Sequence, residues 1–135
     1  MHATCDNKMK VYINGFLQAE DGAMANWMLT SALTMSPLTE VLAIECLDLG
    51  AQEGILASID NGILTDGSWS CSKASVEGWT KPGFQDTTGS FMEAQVIGGH
   101  GMRPWGVRPG ISTAAKWIWT QESSTQAFCR KVISG

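Results

Sequence analysis

The stretch Val41-Leu42-Ala43-Ile44-Glu45-Cys46-Leu47-Asp48-Leu49 (VLAIECLDL), closed by Gly50, decides the fold class. Its length and β-branched content suit a strand buried on both faces or in the core of a sandwich. Upstream, residues 8–16 (KMKVYINGF) alternate around Met9, Val11 and Ile13 and then reach Asn14-Gly15, a pair that tolerates positive φ. A strand entering a hairpin is expected there. Residues 18–26 (QAEDGAMAN) read as a polar loop, and 27–35, which carries Trp27, Leu29 and Leu33 and ends before Pro37, as a strand with a short helix as the alternative.

Downstream, 54–59 and 63–72 read as two strands joined at Asp60-Asn61-Gly62. Residues 78–89 are irregular, 91–97 (FMEAQVI) resume alternation, and 98–106 (GGHGMRPWG) form a loop unlike the rest. The segments 116–120 (KWIWT) and 127–133 (AFCRKVI) read as closing strands. No long segment has a 3.6-residue apolar period and none repeats. About eight short strands at near-regular spacing predict an all-β, two-sheet antiparallel sandwich of jelly-roll type, as a single domain over 1–135.

Composition narrows the function classes. Of 135 residues, 44% are hydrophobic and only 16% charged, with a net charge of -4. Binding to phosphate backbones needs clustered cations, so nucleic acid is not an expected partner. No run approaches the roughly 18 apolar residues of a membrane span, so membrane insertion is not expected. The start MHATCD lacks the apolar core of a signal peptide, which predicts a mature form or an excised piece. Cys5, Cys46, Cys71 and Cys129 are even in number with no C-x-x-C, so two disulfides and a secreted setting are expected in preference to a zinc site. Asn-x-Ser/Thr sequons are absent.

Six tryptophans invite two readings, core packing or platforms for sugar rings. Trp117 and Trp119 lie two apart in a strand and so share a face, which suits core. Trp27, Trp79 and Trp105 lie in or beside loops, where an indole can offer its face to a hexose; Trp105 is the preferred platform. His100 stands between glycines, as a solvated loop residue or a hydroxyl binder, with no partners at metal-ligand spacing. Arg103 and Arg108 flank Pro104-Trp105, and a guanidinium fork suits vicinal hydroxyls or a carboxylate. Glu20-Asp21, Asp60 and Asp66 could offer oxygens to calcium, but in no EF-hand spacing. Asp6-Asn7 and Asp60-Asn61 read as turn formers. With no G-x-S-x-G elbow, H-E-x-x-H or P-loop, neither an enzyme nor a cofactor is expected.

Several stretches together resemble the galactose-binding-domain-like β-sandwiches attached to many glycoside hydrolases. They are Ala3-Thr4-Cys5-Asp6-Asn7 with Val11-Tyr12-Ile13-Asn14-Gly15, then Val41-Leu42-Ala43-Ile44-Glu45, then Lys116-Trp117-Ile118-Trp119 with Arg130-Lys131. Thr65-Asp66-Gly67-Ser68-Trp69 and Pro104-Trp105-Gly106 extend the match. Here the W-I-W segment closes the chain, where it commonly precedes the D-N strand. The resemblance implies a structural Trp69 and a jelly roll whose first and last strands are neighbours, hence Cys5 with Cys129 and, by remainder, Cys46 with Cys71. Four cysteines allow three connectivities, and sequence alone selects none. The resemblance together with this aromatic and polar loop leads to the expectation of a lectin-like domain for glycans or glycoproteins, taking a hexose such as galactose through Trp105, His100, Arg103 and Asp66. Oligomerisation would add avidity. The rival expectation is an extracellular structural or adhesive interaction module without a sugar site.

Overall fold

The computed structural model describes residues 1–20, 31–32, 38–48, 52–59 and 62–133, and among these every regular element is a strand. The order is β1 (His2–Asp6), β2 (Lys8–Ile13), β3 (Phe16–Glu20), β4 (Ser31–Ala32), β5 (Val41–Leu47), β6 (Gly54–Ser58), β7 (Ser70–Ser72), β8 (Met92–Glu93), β9 (Gln95–Gly99), β10 (Lys116–Trp119) and β11 (Gln126–Val132). They form a five-stranded sheet, β4-β1-β6-β10-β9, and a six-stranded sheet, β3-β2-β5-β11-β7-β8. Every pairing within them is antiparallel. The chain is therefore an all-β sandwich.

Two-residue periodicity builds the core. Met9, Val11 and Ile13 of β2 and Leu42 and Ile44 of β5 meet Ala3, Ile55, Ala57 and Ile118 of the other sheet. Val41, Leu42, Ala43 and Ile44 are all buried, because the outer side of β5 is also covered. Trp79 packs there with Ala43 and Phe128, flanked by Tyr12, Phe84 and Phe91. Arg130 fastens this roof: its Nε donates to the Trp79 carbonyl at 2.9 Å and its guanidinium lies 5.0 Å from the centre of the Phe84 ring. The start of this run, 41–44, is thus core on both faces, one of the two settings its composition suits.

The Asn14-Gly15 hairpin is also present, with φ of 51° and 89° as a two-residue turn of positive φ requires. Asn14 Oδ1 accepts from the backbone N–H of Glu40 (2.8 Å) and Val41 (3.1 Å), tying the hairpin to the start of β5.

Three sequence expectations need correction. β3 extends to Glu20, into the segment read as a loop, because an edge strand is held by its ladder with β2 and not by an apolar pattern. In 63–72 only Ser70–Ser72 is strand. Thr65 wedges between β6 and β10, its Oγ1 donating to the Lys116 carbonyl (2.6 Å) and accepting from the Ala57 N–H (3.1 Å), and Asp66 then opens a turn. In 91–97 the chain leaves one sheet for the other at Ala94, whose N–H donates to the Trp69 carbonyl. Trp27, most of 27–35 and the Asp60-Asn61 turn lie outside the described residues.

All four cysteines are disulfide-bonded, but the pairing is Cys5–Cys46 and Cys71–Cys129. The inferred Cys5–Cys129 and Cys46–Cys71 pairs fail because the first and last strands are not neighbours: β1 lies between β4 and β6, and β11 lies between β5 and β7 in the opposite sheet. The chain changes sheets at Asn7, so Cys5 faces β5 across the core, with Cα atoms 6.2 Å apart. Cys71 and Cys129 stand directly opposite each other in the β7–β11 ladder.

Candidate functional site

The loop chosen from sequence is a structural cover. Trp105 is only 1% exposed and stacks on Trp117 with ring centroids 4.1 Å apart and planes inclined by 22°. Its Nε1–H donates to Asp6 Oδ2 at 2.9 Å. Leu56, Ile111 and Ala115 complete this second core on the outside of the five-stranded sheet. Glycine at position 54 makes it possible, since a Cβ there would lie 2.6 Å from Trp117 Cε3. Trp105 is therefore a pillar, and its indole has no free face for a sugar.

His100 is likewise committed. Its Nδ1 lies 2.8 Å from the Ser112 carbonyl and its Nε2 lies 2.7 Å from the Arg108 backbone N–H. A carbonyl only accepts and a backbone N–H only donates, so the ring is the neutral Nδ1–H tautomer with both nitrogens used. The hydroxyl-binding role is replaced by a staple that closes the loop. Asp66 is also spent locally: Oδ1 accepts from the Ser68 N–H at 2.8 Å and from the Ser68 hydroxyl, which in turn accepts from Lys131 Nζ. These ties lead away from the Trp105 loop. Of the four chosen residues only Arg103 is exposed.

The other described tryptophans are structural too. Trp69 donates through Nε1 to the Leu64 carbonyl at 2.9 Å. Trp117 and Trp119 are both buried, yet they do not share one cluster: Trp117 belongs to the outer core under Trp105 and Trp119 to the central one. The register with β9 shifts between Trp117 and Ile118, which breaks simple alternation.

What the fold does offer is a cavity of about 230 Å³ lined by Gln52, Glu53, Gln95, Ile97 and Trp119. Three elements assemble it. Residues 52–53 lead into β6, Gln95 opens β9, and Trp119, which ends β10, is the register partner of Gln95. Trp119 is fixed by its Nε1–H, which donates to the Ser124 carbonyl at 3.2 Å. The wall is two amides and one carboxyl, and the floor is apolar.

Glu53 is held above the ordinary glutamate range, first by burial and then by the nearby charge of Asp48. Asp6, at the end of β1, is also raised by burial, with Asp48 adding to the effect and the Trp105 hydrogen bond opposing it. Among the described residues no three His, Cys, Asp or Glu side chains gather as a metal site. Asp21 and Asp60, two of the oxygens considered for calcium, lie outside the described residues.

Sequence reasoning missed Gln52, Glu53 and Gln95 because each is an ordinary surface residue type without a motif. Only strand pairing brings them together. The alternation in FMEAQVI marks Gln95 as outward-facing, and that is the one local signal. Compared with protein-family models, curated proteins and solved structures, the chain matches none.

Proposed function

We propose that this chain is a secreted, lectin-like carbohydrate-binding domain taking a hexose such as galactose, with the sugar seated in the cavity at Gln52, Glu53 and Gln95. The observation that carries this reading is the make-up of that cavity, about 230 Å³ with polar walls over Ile97 and Trp119. Each amide both donates and accepts, and a carboxylate accepts, which matches the paired donor and acceptor character of sugar hydroxyls. The β-sandwich, the two disulfides and the resemblance to galactose-binding-domain-like modules agree with it.

Binding is favoured over catalysis, because glycoside hydrolysis uses two carboxyls across a cleft and the described residues of this wall carry one. Arg103 has no role in this reading.

A glycan array with the oxidised protein tests the proposal. Selective binding to galactose-type sugars is expected, weakened about tenfold by Gln95→Ala, which removes a hydrogen-bonding amide from the cavity wall. A flat array from folded protein sinks it.

One observation favours the rival, an adhesive protein-interaction module: around the hairpin Phe16 is 72% exposed, Leu17 48% and Leu38 80%. Agglutination of cells that a simple sugar inhibits supports the lectin, and agglutination indifferent to sugar supports the module.

A further inference from the structure

We infer that the cavity is selective by charge, taking a hexose that carries an ammonium group, an unacetylated hexosamine, in preference to the neutral sugar, and rejecting the corresponding uronic acid. This rests on the sugar-site reading above and names the ligand class for it. Three acidic residues sit at strand ends on one end of the sandwich: Asp6 ends β1, Asp48 follows β5, and Glu53 precedes β6. Glu53 lines the cavity, and neither Lys nor Arg is among the described residues that line it.

Asp48 is buried and acts on Glu53, so the field it adds there is poorly screened by solvent. Burial and the like charge of Asp48 already raise Glu53. A ligand carboxylate would repeat that repulsion, whereas an ammonium relieves it and gives Glu53 an ion pair that no described residue supplies. The amides of Gln52 and Gln95 remain for the hydroxyls, which all three sugars share, so the substituent alone sets the order.

The experiment measures affinity for galactose, galactosamine and galacturonic acid by titration calorimetry, on the parent and on Glu53→Gln. The expected order is galactosamine, then galactose, then galacturonate, with about fivefold at each step, the size of a partly exposed ion pair. In Glu53→Gln the three affinities draw together, and in the parent the spread narrows as salt is raised. Because Glu53 is held uncomfortably in the fold, its neutral amide is expected to leave the protein folded, and circular dichroism checks this. Galacturonate binding as tightly as galactose, or an order unchanged in Glu53→Gln, overturns the inference while leaving the sugar site standing. No binding of any of the three overturns both.

Discussion

Trp105 and Glu53 show how one residue's surroundings decide its role. Trp105 has the composition of a binding residue, an aromatic in a glycine-rich loop, but its indole is clamped between the Trp117 ring and the Asp6 carboxylate. Truncating it removes a buried aromatic and leaves Asp6 without that partner. Trp105→Ala is therefore expected to destabilise the protein by about 3–5 kcal/mol in denaturant unfolding; a variant that keeps parental stability contradicts the pillar role. Glu53 makes the opposite case. Its folded-state pKa is raised by burial and by Asp48, so its contribution to stability is present below the ordinary glutamate value and is lost as pH rises through the folded-state value. Glu53→Gln is thus expected to be at least as stable as the parent at neutral pH, and to lose that advantage at about pH 4, near the unmodified carboxyl's own range. An advantage that grows on acidification would reverse the sign of this argument.

At the scale of the element, the legible parts of the sequence were those where a local rule is also the tertiary rule. VLAIECLDL reads as a buried strand because β5 is central in its sheet and roofed by Trp79, and Asn14-Gly15 reads as a hairpin because the turn itself demands positive φ. Elements failed to show where pairing overrides pattern. β3 is held to its neighbour at the sheet edge, and 91–97 looks like one alternating strand but serves two sheets. The disulfides show the same divide: that four cysteines pair follows from number and spacing, whereas their partners follow from which sheet each strand joins. The candidate cavity was the least legible part, since residues 52–53, 95 and 119 carry no shared motif and meet only through the β6-β10-β9 order.

The whole molecule is a sandwich with a cover on the outside of each sheet. Residues around Trp79 and Phe91 roof the six-stranded sheet, and Trp105 with Ile111 roofs the five-stranded one. The Trp79 and Trp105 indoles are used for those covers. The covalent connectivity has a separate consequence. The two bridged rings, 5–46 and 71–129, lie side by side along the chain and neither encloses nor interlocks with the other. The protein is therefore a pair of beads on one thread, and the thread between them, 47–70, includes β6, the strand that pairs with β1 of the first bead and β10 of the second. A protease nick in this thread frees two pieces that no covalent bond joins, yet β5 of one still zips along β11 of the other over its full length. Such a nicked sample is expected to run as two bands on a denaturing gel without reductant and as one particle in native size-exclusion. Nicks within either ring would leave a single unreduced band, so the gel reads the topology directly, and the two halves amount to a natural pair for fragment complementation.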